Sequence, residues 1–200
     1  MHDGSHSSPV SCHSSLSAVN LTIDGKAVSV PAGTTILAAA KQLGIHIPAL
    51  CHHPKLSVTG ACRVCIVEVN GQPVTSCTTV VEEGMQVTTA SAYIEGLRRD
   101  IVDLILSDHP YDCMVCERAG DCELQELAYK YQIRYPVFHG ERRHYPKRDG
   151  NPFIEREMEK CILCGRCVKV CDEVQGVGAI DYAYKGFETK ICPPFERDLS

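Results

Sequence analysis

The chain has 200 residues, which allows one large domain or about two to three small ones. Its formal net charge of -5 argues against nucleic acid as the main partner. We expect no direct membrane span, because no uncharged apolar stretch approaches the roughly 20 residues that cross a bilayer. Only 6% of the residues are aromatic, so small domains would have thin cores and would need help from something other than burial.

The thirteen cysteines are the obvious candidates for that help. Disulfides suit small secreted domains, but the N-terminus shows no basic start followed by an apolar run, as a signal peptide would. The count is also odd, and most of the cysteines stand two or three residues apart in clusters. Clustered cysteines without a signal peptide are more typical of metal binding inside the cell than of a disulfide framework, so we expect a cytoplasmic protein.

The sequence of the first 93 residues predicts a disordered tail followed by a small α+β domain. Residues 1–17 are rich in Ser and His without periodicity, and Cys12 stands alone there. Over residues 18–93, VNLTI and KAVSV alternate around Asp24-Gly25, and CIVEV and PVTSC around Asn70-Gly71, which predicts two β-hairpins. Between them, a helix should start after Thr34 or Thr35 and end at Gly44. MQVTT indicates one more strand.

Residues 94–150 predict a helical domain and 151–200 a further cysteine-rich segment. YIEGLRRDIVDLILSD has helical spacing, and Asp108-His109-Pro110 should end that helix. The apolar positions of that helix are Ile94, Leu97, Ile101, Leu104 and Ile105. ELQELAYKY predicts a second helix, and residues 136–152 a loop. The basic run at 141–148 is interpreted as a solvated loop rather than a docking patch. In the last segment, GAIDYAY and FETKI indicate two strands around a turn at Gly186.

The first cysteine set has ten, two and eleven residues between its members, Cys51, Cys62, Cys65 and Cys77. The second hairpin should bring Cys77 back beside Cys65. Four thiolates on one loop-rich edge suit a [2Fe–2S] cluster, which takes four cysteines. A zinc ribbon would need two CxxC pairs about 15 to 20 residues apart, and only one pair exists here. The adjoining His52 and His53 are interpreted as surface residues.

The second set has the spacing H-x3-C-x2-C-x5-C and consists of His109, Cys113, Cys116 and Cys122. From the residues alone, a Cys3His zinc site fits as well as any other.

The third set has the C-x2-C-x2-C-x3-C spacing of bacterial ferredoxins and consists of Cys161, Cys164, Cys167 and Cys171. It predicts a [4Fe–4S] cluster. In two-cluster ferredoxins the fourth cysteine serves the other cluster, and no second run follows here. The fourth ligand is therefore Cys171 or Cys192, which precedes Pro193, or else the sequence is a truncated two-cluster module.

Three stretches of the sequence carry a family resemblance: PALCHHPKLSVTGACRVCIVEVNG with VTSCTTVVEEGM, SDHPYDCMVCERAGDCELQ, and NPFIEREMEKCILCGRCVKVCDEVQG. They resemble the N-terminal region of the large iron–sulfur subunit of respiratory complex I, of [FeFe] hydrogenases, and of NAD-linked hydrogenases and formate dehydrogenases. The resemblance implies a β-grasp [2Fe–2S] ferredoxin domain, a small helical domain in which His109 is the non-cysteine ligand of a [4Fe–4S] cluster, and a partial ferredoxin-like [4Fe–4S] domain. Such relatives usually continue into a second cysteine run, so this chain departs from their pattern at its end.

The expected function is electron transfer, because three sites of different ligation suit a relay better than structural staples. The chain has no G-x-G-x-x-G after a strand, so it should not be catalytic alone. The resemblance implies a flavin-containing diaphorase subunit that handles NAD(P)H as one partner, and a hydrogenase or formate dehydrogenase catalytic subunit as the other. Electron bifurcation with ferredoxin is left open. The alternatives are a free-standing multi-cluster ferredoxin-like carrier and a zinc-stapled interaction module.

Overall fold

The computed structural model describes residues 17–146 and 153–197. The disordered tail predicted for residues 1–17, with Cys12, therefore lies outside the described residues except for Ser17. The part of the predicted loop at 147–152 also lies outside them. The strands are β1 (Ala18–Ile23), β2 (Lys26–Pro31), β3 (Ile66–Val69), β4 (Gln72–Thr75), β5 (Gln86–Thr88), β6 (Asp181–Ala183) and β7 (Lys190–Cys192). The α-helices are α1 (Ile36–Gln42), α2 (Ala92–Ser107), α3 (Glu123–Lys130) and α4 (Arg166–Lys169). The predicted α+β class is confirmed.

The first five strands form one mixed sheet in the order β2-β1-β5-β3-β4. Both predicted hairpins are present, and their turns take the positive φ values that two-residue turns require: 48° and 76° at Asp24 and Gly25, and 50° and 81° at Asn70 and Gly71. The short strand β5 joins them, since it pairs parallel to β1 and antiparallel to β3.

Helix α1 packs on this sheet and starts where the sequence predicted. The Thr35 side chain accepts a hydrogen bond from the Ala38 N–H, and Gly44 follows the helix with φ of 70°. The N–H groups of Ile36 and Leu37 donate to the carbonyls of Thr79 and Ser76. The helix is therefore fastened to the loop that carries Cys77.

Helices α2 and α3 form a second core, but the buried face of α2 differs from the predicted one. Leu104, expected inside, is 53% exposed, whereas Arg98 and Asp103 are 2% and 3% exposed. Both charges are satisfied: Arg98 donates to the carbonyl of Ile66, and an Asp103 oxygen accepts from the N–H groups of Val137 and Phe138. Burial of a charge is tolerated when its hydrogen bonds are made.

The last segment has little regular structure. A single α-helical turn, α4, continues into a π-helical turn at Val170–Val174, and β6 and β7 form a small antiparallel sheet, as the two predicted strands suggested. Among the described residues, no helix is long and apolar enough to cross a membrane.

Candidate metal centres

The four cysteines of the first set are all buried, with exposures of 8% or less. Cys51 lies in the loop after α1, Cys62 and Cys65 lie just before β3, and Cys77 lies just after β4. The backbone N–H and the hydroxyl of Ser76 both donate to the Cys65 carbonyl, at 3.1 and 2.8 Å. The β3–β4 hairpin thus brings Cys77 back beside Cys65, as predicted from the turn.

The thiols of this set hydrogen-bond to one another, and these contacts shift their pKa values. A hydrogen bond from the Cys62 thiol, with another from Cys77, lowers the pKa of Cys51 to about 2. A hydrogen bond from Cys77 lowers the pKa of Cys65 to about 6, and the pKa values of the donors Cys62 and Cys77 are raised. These hydrogen bonds favour the thiolate forms of Cys51 and Cys65, and the thiolate is the form that binds iron.

Backbone N–H groups also surround Cys51. Those of Ala61 and Cys62 hydrogen-bond to its sulfur and contribute to its low pKa. Gly60 precedes these two residues and has φ of 69°, and a Cβ there would lie 2.8 Å from the Thr78 methyl group.

The second set lies on the loop that joins α2 to α3. His109 directly follows the C-cap of α2, and Cys122 is the N-cap of α3. The His109 Nδ1 atom is 2.9 Å from the Pro110 carbonyl oxygen, which can only accept. In the neutral ring Nδ1 therefore carries the proton, and the lone pair of Nε2 is free for a metal. Cys113 and Cys116 are half-buried on the turns between the two helices.

The third set begins on the loop before α4. Burial raises the pKa values of Cys161 and Cys167. Cys171 lies on the π-helical turn, where its sulfur accepts a hydrogen bond from the Ala179 N–H at 3.1 Å, and Cys192 ends β7. Both remain candidates for the fourth ligand.

One apolar core connects the three sets. Its buried members include Cys51 and Cys62 of the first set, and Cys122 of the second and Cys164 of the third pack against it. A cavity of about 360 Å³ also has a candidate ligand from each set in its wall: Cys62, His109 and Cys161. The three sets are therefore neighbours around one apolar core.

The donors of the first set fit an iron–sulfur cluster. Within residues 17–146 and 153–197, no three His, Cys, Asp or Glu side chains are close enough to hold one ion. The ligands of a cluster bind different irons, so they need not meet at one point. All twelve cysteines in these ranges are free of disulfides, and four thiols with N–H donors around them match a [2Fe–2S] ligand set.

Three buried side-chain atoms in the described part of the chain have no hydrogen-bond partner: His52 Nδ1, Asp112 Oδ1 and Arg166 Nε. Each belongs to a residue next to a candidate ligand. The two nitrogens are possible donors to cluster sulfur, whereas a carboxylate oxygen such as that of Asp112 would find no donor there. His52 is therefore half-buried rather than the surface residue that the sequence suggested, and burial lowers its pKa.

Cationic side chains near the candidate ligands were also missed by sequence reasoning. Arg143, predicted to lie in a solvated loop, is 15% exposed, pairs with Asp108 and donates to the carbonyls of Thr189 and Cys161. Lys160 pairs with Asp112 at 3.2 Å. Neither contact has a signal in the sequence, because the partners are distant in the chain or belong to the backbone.

Three family models match consecutive parts of the chain. Residues 17–92 match a 2Fe-2S iron–sulfur cluster binding domain, and residues 98–136 match the iron–sulfur binding region of NADH-ubiquinone oxidoreductase-G. Residues 151–200 match the ferredoxin-like domain of NADH-quinone oxidoreductase subunit 3. The fold and these matches define an iron–sulfur protein with a ferredoxin domain at its N-terminal end.

Curated relatives are similar over most of this chain. NADP-reducing hydrogenase subunit HndD of Solidesulfovibrio fructosivorans is 45% identical over 92% of the chain and 33% of its own length. NADPH-Fe(3+) oxidoreductase subunit alpha of Geobacter sulfurreducens is 44% identical over 86% and 21%. The mitochondrial NADH-ubiquinone oxidoreductase 78 kDa subunit of Candida albicans is 37% identical over 92% and 26%. The chain thus spans a third or less of these relatives.

A solved structure agrees with the family matches. A chain of an NAD+-reducing [NiFe]-hydrogenase, in the H2-reduced state, is 30% identical, with a TM-score of 0.83 over 88% of this chain and 75% of that chain. The chain belongs to the iron–sulfur family shared by the complex I 75/78 kDa subunit and hydrogenase subunits of this kind, which confirms the resemblance predicted from its motifs.

Proposed function

We propose that the chain holds one [2Fe–2S] and two [4Fe–4S] clusters in three domains, at residues 18–93, 94–150 and 151–200. The ligands of the [2Fe–2S] cluster are Cys51, Cys62, Cys65 and Cys77. Those of the first [4Fe–4S] cluster are His109, Cys113, Cys116 and Cys122. Those of the second are Cys161, Cys164 and Cys167, with Cys171 or Cys192 as the fourth. Unpaired cysteines in such sets suit a reducing compartment, so the proposed location is the cytoplasm.

The proposed function of these clusters is to relay electrons. The observation that carries it is the apolar core shared by the three sets, which includes Cys51, Cys62, Cys122 and Cys164. Electron tunnelling weakens steeply with distance and is favoured by densely packed protein over water. Neighbouring sites around one packed core are therefore arranged as a relay requires, whereas independent structural metals have no need to be close.

The histidine ligand gives the second cluster a reduction potential different from that of a cluster with four cysteines. A neutral imidazole in place of an anionic thiolate leaves the His109 cluster with less negative charge, so its reduction potential should be higher than with four cysteines. The hydrogen bond between His109 Nδ1 and Pro110 supports this role, because it leaves Nε2 free to bind.

The proposed partners are larger oxidoreductase subunits. In this arrangement a flavin-containing diaphorase subunit handles NAD(P)H, and a hydrogenase or formate dehydrogenase subunit carries out the other half-reaction. The names of the relatives, an NADP-reducing hydrogenase subunit among them, support it. A bifurcating complex that also uses ferredoxin is a variant of the same proposal. The chain is not catalytic alone.

A surface feature favours a subunit over a free-standing carrier. Met114, Val115, Tyr135 and Val137, on and near the loop of the second set, are 94%, 82%, 76% and 72% exposed. A diffusible carrier would be expected to have a mostly polar surface, whereas apolar side chains grouped beside a redox site are typical of a surface that another protein covers.

The test is the content of iron, acid-labile sulfide and zinc in anaerobically purified protein, measured together with copurification. About ten irons per chain and no zinc are expected from one two-iron and two four-iron clusters. Six irons with one zinc would make the His109 site a structural zinc and refute the relay through it. A fixed ratio to larger subunits supports the partner proposal, and a monomer that carries all its clusters would indicate the free carrier instead.

A further inference from the structure

Arg166 lies between two candidate ligands of the third set, Cys164 and Cys167. It is the first residue of α4 and directly follows Gly165, whose φ of 76° turns the chain into the helix.

The guanidinium group contacts the other two sets as well. Nη2 donates to the carbonyls of Ala49 and His52, at 3.3 and 2.9 Å, on either side of Cys51. Nη1 lies 2.7 Å from a carboxylate oxygen of Glu123, the residue after Cys122. One side chain thus holds segments that carry a candidate ligand from each of the three sets.

Two further properties distinguish this arginine. Its Nε–H is buried and has no partner among the described protein atoms, so it is a donor available to cluster sulfur. Its acceptors are two backbone carbonyls and a carboxylate, and only the planar guanidinium fork can reach several acceptors at fixed angles. A lysine would keep the charge and lose this geometry.

We propose that Arg166 is a positioning residue that fixes the [2Fe–2S] site against the third site and raises the reduction potentials of both. Each cluster gains negative charge on reduction, so a nearby fixed positive charge stabilises the reduced form. The neighbouring Glu123 carboxylate offsets this charge on the side of the His109 site, whose potential should move least. This inference rests on the cluster assignment proposed above.

The experiment is a redox titration of the holoprotein followed by electron paramagnetic resonance (EPR), with the spin–spin interaction between the reduced clusters as a second readout. Arg166→Gln should shift the midpoint potentials of the first and third clusters to more negative values and weaken the interaction between them. The matched control is Arg63→Gln. Arg63 is exposed between Cys62 and Cys65, so its loss removes one charge near the same cluster without a buried contact.

Equal effects of Arg166→Gln and Arg63→Gln, or no shift in either cluster, would overturn the inference. If Arg166→Gln does not assemble its clusters, Arg166→Lys is the deciding variant. It should keep potentials close to the wild type and still weaken the spin–spin interaction. An unchanged interaction would overturn the role of Arg166 in fixing the two sites against each other. If the wild-type protein lacks the signal of the first or of the third cluster, that result would instead contradict the proposed function.

Discussion

Arg98 donates two hydrogen bonds to one backbone carbonyl, that of Ile66, from Nε at 3.1 Å and from Nη2 at 2.6 Å. Its third nitrogen pairs with Glu95 at 3.0 Å. Ile66 begins β3, directly after the candidate ligand Cys65. A buried charge on α2 therefore fixes this helix to the strand that follows the first cysteine set.

Replacing Arg98 should lower stability strongly. Arg98→Ala leaves the Ile66 carbonyl without its donors and opens a buried space, and we expect a loss of about 3 kcal/mol in the free energy of unfolding, from the cost of breaking a buried charged contact. The matched control is Arg99→Ala at an exposed position on the same helix, with an expected change within about 0.5 kcal/mol. Chemical denaturation followed by circular dichroism measures both, and equal losses would contradict the role of Arg98.

Stability should depend on pH through Glu95. Burial alone would raise its pKa, but hydrogen bonds from Tyr131 and Lys130 outweigh burial and lower it below the ordinary value of 4.5. A carboxyl whose pKa is lower in the folded state stabilises the fold above its unfolded pKa, and this contribution is lost as the pH falls through the folded pKa. The difference in melting temperature between wild type and Glu95→Gln should thus be full near neutral pH and shrink below about pH 4.

The control for that pH series is Glu117→Gln, which changes an exposed carboxyl on the loop of the second set. Its difference from wild type should stay small at every pH. A Glu95→Gln difference that does not change with pH would show that the carboxylate form contributes nothing to the α2–α3 contact.

Gly60 should tolerate a side chain less well than another glycine of the same backbone conformation. Gly60→Ala places a Cβ 2.8 Å from the Thr78 methyl group in the loop that surrounds Cys51, whereas Gly84, with φ of 73° against 69°, has nothing within 4 Å. Both variants bear the same backbone strain of about 1 kcal/mol. Only Gly60→Ala should also lower the retention of iron at the first site, measured by its absorption and EPR signal, and equal retention would exclude crowding there.

His109→Cys tests the proposed histidine ligand. A thiolate in place of imidazole adds negative charge, so the midpoint potential of that cluster should fall by on the order of 100 mV, judged from other histidine-ligated centres. His139→Gln, an exposed change in the following loop, should leave it unaltered. EPR-monitored titration measures both, and an unchanged potential in His109→Cys would mean that another group binds the fourth iron.

Local patterns in the sequence predicted most of the sheet and helices. Asp24-Gly25 and Asn70-Gly71 specify two-residue turns on their own, and Thr35 caps α1 through a contact three residues away. Such interactions lie within a few residues, so their signals survive in the sequence. The cysteine spacings predicted three candidate sites for the same reason.

The buried charges could not be predicted in this way. The helical pattern predicts that Arg98 and Asp103 face solvent. It carries no information on their actual partners, which are backbone groups 32 and 34 residues away. Arg166 is the extreme case, since its carbonyl acceptors precede it by 114 and 117 residues. No local pattern shows whether a basic residue inside a cysteine motif bridges distant segments of the chain or is a surface charge.

The three-residue strand β5 has a consequence for how the first domain is made. It is the last strand of the sheet in the chain and lies in the middle, with β1 on one side and β3 on the other. During synthesis the two hairpins therefore have no strand in common until residue 88 has left the ribosome, by which point all four cysteines of the first set are already available. Cluster insertion and closure of the sheet thus become possible at nearly the same moment.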